Sequence, residues 1–197
     1  RAIRGGGVTV GIALDRDEPR IVLSSFIATC AEKDRLSLEP YHVAAEMCRD
    51  GKPSAKAAAA VAEGRKHQDK LAAKGLEDIV RKLHGDGCKP VVAALLVNRA
   101  GWITDLLAYS LPYSVHPPVA EGLAVRDALR FGIGQAGIKI AEVDEKLLPD
   151  LASETLCLGS ADIDVCLRAL GATAGKPWRK EQKLACLAAW LVLAKEK

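Results

Sequence analysis

Aromatic side chains are scarce in this sequence. Phe, Trp and Tyr together make up 4% of its 197 residues, and there is one Met. A core built from this chain must therefore rest on Ala, Leu, Val and Ile. Charge of a single sign is lacking too: 28 Lys and Arg stand against 25 Asp and Glu, a formal net charge of +3. That excludes a heavily basic tail and allows nucleic-acid contact only through a local patch. No apolar run reaches the ~18 residues that suggest a bilayer span. The longest, Leu184–Ala194, is bordered by Lys183 and Lys195, so no membrane association is expected. The six cysteines, Cys30, Cys48, Cys88, Cys157, Cys166 and Cys186, form no Cys-x-x-Cys pair. None stands at zinc-ligand spacing from a histidine. They read as free thiols in an intracellular reducing compartment, cytoplasm or organelle matrix. The nucleophile elbow Gly-x-Ser-x-Gly is absent. The glycine groups Gly5-Gly6-Gly7 and Gly132-Ile133-Gly134 are not phosphate loops, since one precedes a strand and the other lies within a helical stretch.

What remains is an ordinary globular balance, 49% hydrophobic and 27% charged, enough for an independent core. The basic opening Arg1-Ala2-Ile3-Arg4 reads as a trimmed or processed start. Residues 1–7 are expected to be a disordered lead-in, with a single α/β domain over 8–197. Val8–Leu14 and Ile21–Ala28 flank the polar turn Asp15–Pro19 and predict an antiparallel hairpin. A short helix begins near Pro40, a residue suited to a first helical position. After the break at Gly51–Ser54, Ser54 caps an Ala- and Lys-rich helix that runs to about Ala73. Lys74-Gly75 interrupts it before a further turn or two to Leu83, so residues 40–83 read as a helical insertion. His84-Gly85-Asp86-Gly87 is a turn. Val91–Val97 is continuously apolar, as in a strand buried on both faces. Asn98-Arg99-Ala100-Gly101 suits a hairpin turn, with Trp102–Tyr109 as the returning strand, although Asp105-Leu106-Leu107 also suits a helix. Pro117-Pro118 opens a helix stopped by Gly137. Ile138–Val143 is a short strand. Helices over Leu147–Leu156, Ala161–Leu170 and Lys180–Lys195 complete a C-terminal segment, 147–197. Strands alternating with helices predict an α/β layer.

Two carboxylates stand out. Glu121 lies in the first turn of a helix, and Asp144 ends the strand that follows it. Acids so placed can converge at one sheet edge, where oxygen ligands suit Mg²⁺ and two ions can activate a phosphodiester. Each position also has an ordinary structural explanation, through the helix dipole and turn chemistry.

The stretch from Val91 to Tyr109 is similar to the second and third strands of the plant-type ribonuclease H family. Val119–Leu129 resembles that family's first helix, and Ile138–Leu148 its fourth strand. The resemblance implies a ribonuclease H-like mixed sheet flanked by helices. It also implies Glu121 and Asp144 as catalytic metal ligands, with Mg²⁺ as cofactor. The acid of the family's first strand would be Asp86 or Asp15. In the last helix Cys186 stands where a further acid belongs, with Glu181 as the acid nearby. Two expectations follow. The chain is either a non-catalytic RNA- or protein-binding subunit that keeps the fold, or a Mg²⁺-dependent nuclease acting through Glu121 and Asp144. Lys176, Arg179, Lys180 and Lys183 around Trp178 offer phosphate-neutralising charge and a ring for base stacking on RNA or DNA. A solvated helix start with Trp178 packed inward is the alternative. The Ala-rich and C-terminal helices are candidate contacts for other proteins.

Overall fold

The structure, a computed structural model, describes residues 1–16, 18–48, 51–98 and 102–196. It is mixed α/β. Strands β1 (Ala2–Ile3), β2 (Gly6–Asp15) and β3 (Glu18–Ala28) form an antiparallel sheet in the order β1-β2-β3. Helices α1 (Arg35–Leu38), α2 (Pro40–Met47) and α3 (Ala55–Gly85) follow. Then come β4 (Val92–Val97), α4 (Leu106–Ser110), α5 (His116–Gln135) and β5 (Lys139–Asp144). Helices α6 (Leu148–Leu156), α7 (Ser160–Ala174) and α8 (Lys180–Ala194) end the chain. β4 and β5 pair in parallel, Val92 opposite Lys139 and Val97 opposite Asp144.

Side-chain alternation explains the layers. Val10, Ile12 and Leu14 of β2 pack in one cluster with Val92, Ala94 and Leu96 of β4, against α6, α7 and α8. Leu95 of β4 and Ile140 of β5 point the other way, onto Leu76 of α3 and Val125, Leu129 and Ile133 of α5. α8 thus lies across one face of both sheets, and α3 with α5 across the other. β4 is buried on both sides as its apolar run predicts, with Leu95 and Leu96 only 3% and 2% exposed on opposite faces.

Local signals set several boundaries. Ser54 accepts from Ala57 N–H at the start of α3, Pro40 is the first residue of α2, and Gly137 takes φ +67° just past α5. Four expectations are corrected. Trp102–Tyr109 is not a returning strand: Asp105 caps α4 by accepting from Ala108 N–H at 2.9 Å, so the chain coils there instead. The hairpin turn expected at 98–101 falls largely on 99–101, outside the described residues, as does Asp17 in the 15–19 turn. Lys74-Gly75 does not interrupt α3, because Gly75 packs where a Cβ would lie 2.9 Å from Ile27 Cγ2. The helix also continues through His84 and Gly85, and the turn is confined to Asp86 and Gly87. Finally, 1–7 is no disordered lead-in: Ala2 and Ile3 pair with Gly7 and Gly6, and Arg1 is anchored by side-chain bonds to Glu145 and Glu181.

One side of α3 is covered within the chain, Ala57 and Ala72 being 0% exposed, while Ala55, Ala58, Ala59 and Ala62 remain exposed. Gly132 of α5 sits so close that a Cβ there would lie 3.0 Å from the carbonyl of Ala72. α8 is likewise covered, its Ala185, Cys186, Leu187, Ala188 and Leu191 lying in the core. No helix among the described residues is long and apolar enough to cross a membrane.

Candidate functional site at the carboxyl end of the parallel strands

Ligands of open α/β sheets commonly bind beyond the carboxyl ends of parallel strands. Here that end is marked by Val97 and Asp144, and α5 begins above it.

Glu121 occupies the second turn of α5 and is 8% exposed. Its Oε1 accepts N–H bonds from Tyr41 at 2.7 Å and His42 at 3.1 Å. His42 Nδ1 stands 3.4 Å away. The first turn of α2 leaves its N–H groups without helical partners, and the N-cap residue Glu39 makes no side-chain cap. Glu121 therefore caps α2 from a different helix, with a carboxyl oxygen at the positive end of the α2 dipole. Burial pushes its pKa up to about 7, against the opposing pull of the His42 and Tyr41 N–H groups. Oε2 is buried and has no hydrogen-bond partner.

Asp144 ends β5 and accepts from Lys146 N–H at 2.8 Å, closing the turn toward α6. Beside it a second group of acids gathers around Arg1. The Arg1 guanidinium bonds Glu145 at 2.9 Å and Glu181, in the first turn of α8, at 3.0 Å. Glu145 N–H also donates to Val97 O at 2.9 Å, which fixes this network at the carboxyl end of both strands. Arg1 lowers the pKa of Glu181, alongside a larger backbone hydrogen bond at the helix start. Nearby, Arg126 of α5 bonds Asn98 at 3.0 Å, and burial lowers its pKa.

The two candidates for the first-strand acid are not brought to this place. Val8 bonds Arg1, so it lies level with Glu145. Asp15 is seven residues farther along β2, about 23 Å at ~3.3 Å per residue, in the hairpin tip opposite Glu18. Asp86 is the C-cap of α3, at the amino end of β4, with about 17 Å of strand separating that end from Asp144. Asp15, Asp86, Glu121 and Asp144 do not fit one Mg²⁺. Among the described residues no group of three or more His, Cys, Asp or Glu is arranged to hold a metal ion. Cys186, at the position where the resemblance expects an acid, is 0% exposed in the core, and burial pushes its thiol up to about 12.

Trp178 is packed inward. Its indole N–H donates to Leu167 O at 3.0 Å, and its ring covers Gly171, where a Cβ would lie 2.3 Å away. Lys180 and Lys183 line a cleft of about 500 Å³ between α6, α7 and α8. Lys176, Arg179 and Lys180 are exposed around it.

One feature escaped the sequence reading. Trp102 meets Tyr109 edge-on at 5.8 Å, Tyr109 stacks on His116 at 4.1 Å, and Tyr113 meets His116 at 5.0 Å. His116 Nδ1 donates to Tyr109 O at 2.6 Å, which holds the stack. Trp102 is 71% exposed and Tyr113 65%. The signal was available: three of the chain's eight aromatic residues fall between 102 and 113. No family model, curated protein or solved structure matches this chain.

Proposed function

We propose that this chain is a nucleic-acid-associated protein of ribonuclease H-like layout that binds rather than cleaves, working as an RNA- or protein-binding subunit of a larger assembly. The observation that carries the reading is Glu121. The acid on which the resemblance rests its chemistry is buried and engaged as the cap of α2. The order hairpin, helix, strand, helix, strand, with the last two strands parallel, supports the layout. Exposed rings at Trp102 and Tyr113 suit stacking on unpaired bases, and Lys176, Arg179, Lys180 and Lys183 suit phosphates.

Fluorescence anisotropy with labelled single-stranded oligouridylate and its DNA counterpart tests this. Binding is expected at low salt and weakens steeply as salt rises. It also weakens several-fold in Trp102→Ala and in the double variant Lys180→Ala, Lys183→Ala, and added Mg²⁺ produces no cleavage. Absence of binding to either strand overturns the reading. So does Mg²⁺-dependent cleavage that disappears in Glu121→Gln, which would instead favour a nuclease using Glu121 and Asp144.

A further inference from the structure

The two sheets share both flanking layers, yet among the described residues no pairing joins them. β2 is paired along one side by β3, and on its other side β1 covers only Gly6 and Gly7. The ladder reaches one residue farther, since the Arg1 α-amino group donates to Val8 O at 2.8 Å and Val8 N–H donates to Arg1 O at 2.9 Å. From Thr9 to Leu14 this edge of β2 has no strand beside it among the described residues. Among the described residues β4 pairs with β5 alone, which leaves its other edge open as well. Between the two edges runs a cavity of about 530 Å³. Its walls are β2 and β4, and its floor and roof are apolar side chains of α8 on one face and of α3 and α5 on the other.

An open strand edge presents a row of N–H and C=O groups, and leaving such groups buried without partners is costly. A slot with a strand edge on each side and apolar side chains above and below has the chemistry of a missing strand. Its direction can be read. Ala2 opposes Gly7 and Ile3 opposes Gly6, so residues before Arg1, continuing the same ladder, would oppose Thr9, Val10 and onward to Leu14. The Arg1–Glu145 pair sets the exit of that path at the carboxyl end of β4 and β5. A strand that ends there runs in the same sense as β4.

We propose that this slot seats a β-strand leading directly into Arg1, antiparallel to β2 and parallel to β4. It joins the two sheets into one of order β3-β2-β1-β4-β5. Directly opposed residues of a strand pair share a face. Side chains opposite Val10, Ile12 and Leu14 therefore meet α8, and those between meet Leu129 and Ile133 of α5. Both faces are covered, which calls for aliphatic residues throughout, as in buried parallel strands. The strand seat is independent of what the protein binds.

The experiment compares residues 1–197 with the same chain preceded by Val-Leu-Val-Ala-Val-Thr, and with a control in which alternate residues of that extension are Pro. Amide hydrogen exchange is read at Val10 and Ile12 of β2 and at Val92 through Leu96 of β4. The extended chain is expected to slow exchange at least tenfold on both edges, to melt at a higher temperature and to remain monomeric. The Pro control should do none of the first two. Acetyl-Val-Leu-Val-Ala-Val-Thr-amide added in trans to residues 1–197 covers the case in which the fused extension hinders folding, and the same protection is expected at high peptide concentration. The proposal is overturned if neither form of the strand slows β4, or if protection is confined to β2. It is also overturned if residues 1–197 alone dimerise and protect both edges, which would make a second copy the occupant.

Discussion

Two charged groups near the carboxyl end of the parallel strands are handled in opposite ways. Glu121 is an anion set among backbone N–H groups at the start of α2 and withdrawn from water. Arg1 is a cation held between Glu145 and Glu181 at a half-exposed rim. Each helix start receives an acid, yet the environments differ. Burial raises the pKa of Glu121 to about 7, whereas Glu181, near the surface, is lowered. An acid near a helix start is thus an incomplete description of its chemistry. The neighbours brought in by the fold decide whether it acts as a cap, an ion-pair partner or a proton acceptor.

The largest expected effect separates these roles by pH. The folded-state pKa of Glu121 is raised, so its contribution to stability is complete below the ordinary value near 4.5 and is lost as pH rises through about 7. A shift of this size corresponds to about 3 kcal/mol. Glu121→Gln keeps an oxygen for Tyr41 and His42 N–H, so urea unfolding of that variant should be flatter between those pH values and more stable at pH 8. If the slope is unchanged, the buried cap does not titrate as described.

In the polypeptide of residues 1–197 taken by itself, the α-amino group of Arg1 gives the opposite slope. Its pKa is lowered from 8.0 to about 6, so stability is complete above pH 8 and is lost as pH falls through about 6, by roughly 2–3 kcal/mol. Acetylation keeps an N–H for Val8 and should remove this slope in thermal unfolding. Because the two slopes oppose each other between pH 6 and 7, each must be read from its own modification.

A change away from both charges calibrates the scale. Gly132→Ala would press a methyl group on the Ala72 carbonyl. A loss of about 1–3 kcal/mol at every pH is expected, measured by urea unfolding. The smallest effect belongs to the rim. Glu181→Gln removes an ion pair whose partners are 19% and 32% exposed in their side chains. A small cost in urea unfolding is expected, shrinking in high salt. A large, salt-independent loss would move Glu181 into the class of Glu121.

Much of the fold was legible because its signals are local. Ser54, Pro40, Pro117-Pro118 and Gly137 act on the residues beside them, and the apolar run at β4 needs no partner to be recognised. The misreadings share a different cause. Gly75 stays helical because Ile27, far earlier in the chain, packs against it. The strand expected after Asn98 gave way to a helix capped by Asp105; the alternating pattern was locally as good, and only the coil toward α5 decides it. The site was the least legible part. Glu121 and Asp144 stand out in the sequence, but the partners of Glu121 lie 79 and 80 residues before it. Those of Arg1 lie 144 and 180 residues after it. The pairing of strands into two sheets, and with it the positions of Asp15 and Asp86 at the far ends, is set by register that no single segment contains.

The cap on α2 bears on the order in which the molecule assembles. An eight-residue helix is too short to persist alone in water, and this one lacks a cap of its own. Its missing acceptor arrives only when α5 docks. α2 therefore cannot close its first turn ahead of that event, and the segment between β3 and α3 should be among the last to take its final shape and the first to loosen when α5 shifts.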